Sequence, residues 1–280
     1  MSLFCALIDA YDLLFRVYMR LHGYLRPVRE GKTFFGAKVS CNIRDFIQRR
    51  IYFFNIYEPN LTYFFINTLR TGDLVVDVGA NIGYFSLLAS KLVGPSGKVI
   101  SIEAAPQTFD LLRWNLERNA CANVEALNVA ATLNETTVEI VQRDVHNIGS
   151  NEIQISAGPK PGGVAGRPVS AIMGGEISRV RLIKIDIEGS EAPVLEDIIA
   201  HIAEFPQRLT IVVEITENSA KYVEAFRQAG FQIAGLPNNY AIGYFLVRRY
   251  LRRSDEDTFS VTVPKNNYSP KYRDYVFTRS

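Results

Sequence analysis

The chain has little cysteine and little histidine, three of each in 280 residues. Cys5, Cys41 and Cys121 are odd in number and far apart, which excludes a disulfide framework and zinc-ligand spacing. His22, His146 and His201 are equally dispersed, so no metal site is expected. Charge of one sign is lacking too. Thirty-one basic against 29 acidic side chains leave a formal net charge of +2, too weak a bias to argue for a nucleic-acid partner. No apolar run is long enough to span a bilayer. The start of the sequence lacks the basic stretch and clean apolar core of a secretory signal. These absences point to a reducing, cytoplasmic setting. The hydrophobic fraction of 48% and the charged fraction of 21% are ordinary for a globular protein, and the length suits one large α/β domain with additions.

What is present is organised around Leu74-Val75-Val76-Asp77-Val78-Gly79-Ala80-Asn81-Ile82-Gly83-Tyr84-Phe85. A valine-rich run buried on both faces turns on two glycines and continues as an apolar helix from about Ile82 to Leu92. Gly79 and Gly83 suit a turn where a ligand approaches bare backbone, and Asp77 puts a carboxylate beside it. A dinucleotide fingerprint needs glycine where Asn81 stands, which disfavours NAD and FAD. S-adenosylmethionine has no phosphate; its ammonium, carboxylate and sulfonium suit an acid next to a helix start. A tight turn without a ligand is the alternative. A second strand, Val99–Ile102, ends in Glu103, an acid placed to accept both ribose hydroxyls.

Elsewhere, Leu3 to Tyr24 reads as an amphipathic helix that packs on the protein or a second subunit, with docking on a membrane surface as the lesser reading. Lys32 to Ile43 predicts a hairpin. Helices follow at Asp45–Phe54 and Leu61–Leu69, the second entered through Tyr57-Glu58-Pro59. The core alternates strand and helix: Leu74–Val78, Lys98–Ile102, a helix Pro106–Asn119, and a strand near Val124–Val129. That order predicts a parallel sheet with right-handed crossovers. Val138 to Ile155 reads as extra strands, and Gly158 to Pro168 as a mobile loop. A strand Val180–Ile187 leads into a helix N-capped by Ser190 and running to about Phe205. A strand Leu209–Ile215, a helix Ser219–Ala229 and a strand Phe231–Ala234 follow. Tyr275–Thr278 is expected to close an antiparallel hairpin with the last of these. The segment 237–272 carries Arg248-Arg249 and Arg252-Arg253 and reads as an insertion with a solvated face.

Four core strands carry an acid at or near the C-terminal end: Asp77, Glu103, Asp186 and Glu214. In a doubly wound sheet those ends line one crevice, where ligands bind. The strand through Lys184 sets Ile183, Ile185 and Ile187 on one face and Lys184, Asp186 and Glu188 on the other. Three charges on a central strand mean either a self-satisfying ion network or a site.

The segment from Asp77 to Glu103 resembles class I S-adenosylmethionine-dependent methyltransferases. Leu182-Ile183-Lys184-Ile185-Asp186-Ile187-Glu188-Gly189-Ser190-Glu191 closely resembles the signature of the FkbM-type methyltransferases within that class, and Tyr57-Glu58-Pro59 fits the same family. Glu103-Ala104-Ala105-Pro106 departs from it, since the family has proline directly after the acid. The resemblance implies a Rossmann-like α/β fold: a doubly wound, mostly parallel seven-stranded sheet. It would comprise residues 71–280 with insertions at about 138–170 and 237–272, preceded by a helical and hairpin extension over residues 1–70. It implies S-adenosylmethionine as cofactor, held by Glu58, Asp77, Gly79, Ala80, Asn81, Gly83, Glu103 and Ala104. The acceptor would be a hydroxyl of a sugar, glycolipid or natural product. Such a hydroxyl needs a general base, for which Asp186, Glu188 and His146 are the candidates. The Asp/Asn-Pro-Pro-aromatic motif of base-amine methylation is missing after the fourth strand, and no cysteine nucleophile lies near it. Both absences favour oxygen. The alternatives are a methyltransferase acting on RNA or protein, and a silent cofactor-binding module. Gly79→Arg is expected to abolish cofactor binding in a chain that stays folded.

Overall fold

A computed structural model of the chain describes residues 27–142, 151–155, 162–187, 189–216, 218–236 and 274–279. The helix expected over Leu3–Tyr24 and the insertion at 237–272 lie outside the described residues.

Strand β1 (Val28–Lys32) and strand β2 (Lys38–Asn42) form the expected antiparallel hairpin. Thr33 closes it, accepting the Ala37 N–H on its hydroxyl at 2.9 Å. The hairpin is pinned to the core by Asn115 and Asn119, whose side-chain oxygens accept the Ser40 and Lys38 N–H groups at 2.9 Å each. Helix α1 (Phe46–Phe54) starts where Asp45 accepts from the N–H groups of Ile47 and Gln48, and stops at Asn55 in left-handed backbone. Helix α2 (Pro59–Thr68) begins on a proline, whose missing N–H costs nothing in a first turn.

The core then runs β3 (Leu74–Val78), α3 (Tyr84–Val93), β4 (Lys98–Ile102), α4 (Pro106–Arg118) and β5 (Val124–Leu127). A small second sheet follows from β6 (Ala130–Ala131), β7 (Thr136–Gln142), β8 (Asn151–Ile155) and β9 (Val164–Arg167), in the order β6–β9–β7–β8. Strand β9 corrects residues 164–167 of the loop expected at 158–168, of which residues 158–161 lie outside the described residues. Gly166 has no room for a side chain, since a Cβ there would stand 2.8 Å from Thr132 Oγ1, and the close approach makes a strand of a glycine-rich stretch. Helix α5 (Val169–Met173) and a 3₁₀ turn (Gly174–Arg179) lead into β10 (Val180–Ile185), α6 (Glu191–Ala200), β11 (Thr210–Glu214), α7 (Tyr222–Gln228), β12 (Gln232–Leu236) and β13 (Asp274–Thr278).

The main sheet has seven strands in the order β12–β13–β11–β10–β3–β4–β5. β13 alone runs antiparallel, between β11 and β12. This is the doubly wound architecture the sequence predicts, and its two faces are two cores. Val76, Ile100, Ile183, Ile211 and Phe277 face α6 and α7, where Val194, Ile198 and Phe226 meet them. Val75, Val99, Leu182, Val212 and Val276 face Leu61 and Phe65 of α2, Phe85 and Leu88 of α3, and Leu112 and Leu116 of α4. Among the described residues no helix is long and apolar enough to cross a membrane.

Candidate functional site

Strand periodicity fixes where the polar groups go. Asp77 is two residues beyond Val75, Lys184 two beyond Leu182, and Ser101 two beyond Val99. All three therefore point to the α2–α3–α4 face. They also stand side by side, for Ser101 is opposite Asp77 and Asp77 opposite Lys184 across the parallel ladders. One step nearer the C-terminal ends of the parallel strands come Glu103, Asp186 and Glu214. Asp274 stands opposite Glu214. An apolar sheet face thus ends in a polar rim.

The lower row is tightly buried. Asp77 is 1% exposed and Lys184 3%. Ser86 Oγ donates to Asp77 Oδ2 at 2.6 Å, and Ser101 Oγ donates to Ser86 Oγ at 2.8 Å. Asp77 Oδ1 has no hydrogen-bond partner; the Lys184 ammonium stands 3.7 Å from it. The same ammonium donates to Asp186 Oδ2 at 3.1 Å and lies 5.3 Å from the centroid of the Phe85 ring. Burial pushes the Asp77 carboxyl up, against the pull of Lys184 and Ser86. Burial alone would pull Lys184 down, but Asp186 and Asp77, followed by Glu58, outweigh it and hold the ammonium above the ordinary lysine range. The Asp186 side chain is 36% exposed and opens on the rim.

The glycine loop differs from a phosphate cradle. Gly79 and Ala80 N–H both donate to the Ile102 carbonyl at 2.9 Å, and Asn81 N–H donates to Glu103 Oε2 at 2.9 Å. Ile82 N–H goes to Asn81 Oδ1 at 2.8 Å and Gly83 N–H to the Ala80 carbonyl at 2.9 Å. Five successive N–H groups are consumed within the protein, so none is left to ligate a phosphate. The bareness of Gly79 has a protein cause. A Cβ there would stand 1.9 Å from the Asp186 carbonyl oxygen, and φ is +77°. The turn after β10, held by Asp186 N–H on the Val78 carbonyl at 3.0 Å, lies directly on it. For the same reason β10 ends at Ile185 rather than Ile187.

Glu103 is 8% exposed. Each oxygen accepts one backbone N–H at 2.9 Å, from Asn81 and Ala105, leaving further lone pairs for a vicinal diol. Burial pushes its carboxyl up to about 7. Ala104 is half-buried beside it, and Asn128 Nδ2 donates to the carbonyls of Glu103 and Ala104 at 2.9 and 3.0 Å. Glu58, buried, starts α2 with φ +40°, a backbone strain of about 1–3 kcal/mol for a residue with a side chain. Its charge reaches Lys184 and Asp274. Glu188 and His146 lie outside the described residues.

Sequence reasoning missed two acids here. Asp274 enters at the rim because β13 is antiparallel. Burial, then Glu58, Asp186 and Glu214, raise its carboxyl well above the usual range, with Lys184 opposing. Glu191 is 0% exposed; its Oε1 accepts the Gly189 N–H at 2.8 Å while Oε2 has no partner. This bond replaces the N-cap expected from Ser190, whose side chain makes no capping hydrogen bond. Burial pushes Glu191 up, and Glu214 and Asp186 add to it. An acid in the first turn of the helix, ahead of the apolar Val194 and Leu195, was the available signal for Glu191. Among the described residues no group of three or more His, Cys, Asp or Glu is arranged to hold a metal ion.

Two observations fit a cationic, phosphate-free nucleoside such as S-adenosylmethionine: the self-consumed loop and the under-partnered carboxylates of Asp77 and Glu103. The fit has a pH signature. Between the ordinary 4.5 and about 7, folded Glu103 keeps a proton that the unfolded chain has lost, so folding stability falls as pH rises through that window. The full cost, about 3 kcal/mol at about 1.4 per tenfold, is present above it. A diol donating to the ionised carboxylate offsets that cost. S-adenosylhomocysteine should therefore bind about tenfold more weakly at pH 6 than at pH 8, with proton release near pH 6 in calorimetry across buffers. Equal affinity at both pH values would remove Glu103 from the ligand.

A family model described as the methyltransferase FkbM domain matches residues 77–233, more than half of the chain. A protein-L-isoaspartate O-methyltransferase of Methanothrix thermoacetophila is 42% identical over 65 residues, 23% of this chain and 31% of that protein. An arsenite methyltransferase of Halobacterium salinarum is 37% identical over 57 residues, 20% of this chain and 15% of that protein. The chain thus spans under a third of the length of these relatives. Among solved structures, Aeropyrum pernix fibrillarin with natively bound S-adenosyl-L-methionine matches with a TM-score of 0.41 and 11% identity. The match covers 75% of this chain and 68% of that one.

Proposed function

We propose that the chain, which belongs to the FkbM methyltransferase domain family, is a methyltransferase that moves a methyl group from S-adenosylmethionine to a hydroxyl of a sugar, a glycolipid or a natural product. The donor, when bound, supplies a methyl carried on a positively charged sulfur. The observation that carries the reading is the polar rim, where the buried Asp77 and Lys184 adjoin the partly exposed Asp186. Asp77, Glu103 and the loop of Gly79, Ala80, Asn81 and Gly83 form the donor side, with Glu58 and Ala104 flanking it. Asp186 forms the acceptor side.

Methyl transfer is an in-line displacement, so the work of the chain is chiefly alignment. The acceptor oxygen forms the new bond, its proton goes to a base, and the electron pair of the broken carbon–sulfur bond stays on sulfur. Asp186 is our base, exposed enough to meet an acceptor and held in position by Lys184 at 3.1 Å. Glu188 and His146 remain candidates for a supporting role. Cys41 and Cys121 are free thiols, which supports a reducing, cytoplasmic setting.

The test is incubation with methyl-labelled S-adenosylmethionine and separate pools of glycolipid, polysaccharide, RNA and protein, with the label located by mass spectrometry. Label on a sugar or lipid hydroxyl is the expected result. Label on RNA or protein replaces the acceptor class. Tight S-adenosylhomocysteine binding with label on no pool makes the chain a silent binding module.

A further inference from the structure

Asp77 and Asp186 share a single ammonium. Among the described residues, Lys184 is the one cation paired with either carboxylate. Its grip is uneven, 3.1 Å to Asp186 Oδ2 against 3.7 Å to Asp77 Oδ1. Asp77 Oδ2 is fixed by Ser86 at 2.6 Å, while Oδ1 has no hydrogen bond at all. A short movement of Nζ would transfer the hydrogen bond from one carboxylate to the other. The stem is locked in β10, and the Phe85 ring, 5.3 Å away, faces the ammonium without competing for a directed hydrogen bond.

We propose that Lys184 is a positioning residue that couples the donor side of the site to the acceptor side by dividing one ammonium between Asp77 and Asp186. The proposal rests on the reading of those two acids given above. It follows from charge. When Asp186 takes the acceptor proton it becomes neutral and its hold on the ammonium weakens; Nζ then turns to Asp77. In the same event the donor side loses one positive charge, so Asp77 gains a counter-ion as its former one disappears. The ammonium keeps each half of a buried site near neutrality, where an unpaired charge is costly.

The coupling is measurable without knowing the acceptor, using S-adenosylmethionine, which carries the sulfonium charge, as the probe in calorimetry on the full chain. Asp186→Asn, whose neutral amide oxygen holds the ammonium less strongly than a carboxylate, should turn it toward Asp77 and weaken probe binding at least threefold. In a Lys184→Met background the same substitution should leave affinity unchanged, since the link is gone. Equal effects of Asp186→Asn in both backgrounds overturn the proposal. Failure of the probe to bind the unsubstituted chain overturns it together with the cofactor reading. Lys184→Met leaves two buried acids without a counter-ion and risks unfolding, so a second measurement uses the intact chain. The ammonium ¹⁵N resonance of Lys184, assigned by its loss in Lys184→Arg, should shift on probe addition and in Asp186→Asn. A resonance indifferent to both assigns Lys184 a purely structural role.

Discussion

Replacing Gly79 with alanine should abolish S-adenosylhomocysteine binding and methyl transfer together and lower the melting temperature by about 5–15 °C. Two costs add. Alanine at φ +77° pays about 1–2 kcal/mol for left-handed backbone. Its methyl would also stand 1.9 Å from the Asp186 carbonyl oxygen, and overpacking against a backbone atom costs about 1–3 kcal/mol. In a chain of this size each kcal/mol moves the midpoint by roughly 2–4 °C. The turn after β10 has to lift, carrying Asp186 away from Lys184. This revises the expectation for Gly79→Arg: the substitution acts through the protein's own backbone before any ligand is met, and fold and binding fall together. Gly175→Ala is the control, since nothing lies within 4 Å of the added carbon, and its effect should stay within about 0.5 kcal/mol. A Gly79→Ala chain with unaltered melting and affinity would contradict the geometry.

Asp186→Asn should lower turnover by about a hundredfold or more, the usual contribution of a positioned base, while changing S-adenosylhomocysteine affinity only severalfold. Asparagine keeps the size and presents an oxygen to Lys184, but it does not accept a proton. Because the side chain is 36% exposed, the folded state should hardly notice. The measurement is turnover with the acceptor pool that takes label, set beside calorimetry. Equal losses in turnover and affinity would assign Asp186 to fold or cofactor support.

The parts of the site that lie on βα units of the parallel sheet were legible in the sequence. Asp77, Glu103 and Asp186 each end a strand recognisable by its valines and isoleucines, and parallel order puts those ends on one rim. The alternation of Lys184 with Ile183 and Ile185 correctly set the lysine with the acids. Asp274 was illegible because pairing between β11 and β13 is not written in local spacing; a long insertion separates it from β12. Strand β9 was hidden by its own composition, as Gly166 is selected by a close neighbour rather than by strand propensity. The backbone reason for Gly79 was invisible, because a glycine needed against a carbonyl looks, in sequence, like one needed against a ligand.

The position of β13 bears on how the protein is made. β12 leaves the ribosome long before the strand that ties it to the sheet, for β13 lies between β12 and β11. Until residue 278 has emerged, the outer edge of β11 stays open, and the rings of Tyr275 and Phe277 are missing from the interior they fill. A nascent chain stalled in the preceding insertion is therefore a bare edge above an unfinished core, the form most prone to pairing with its neighbours and most in need of a chaperone.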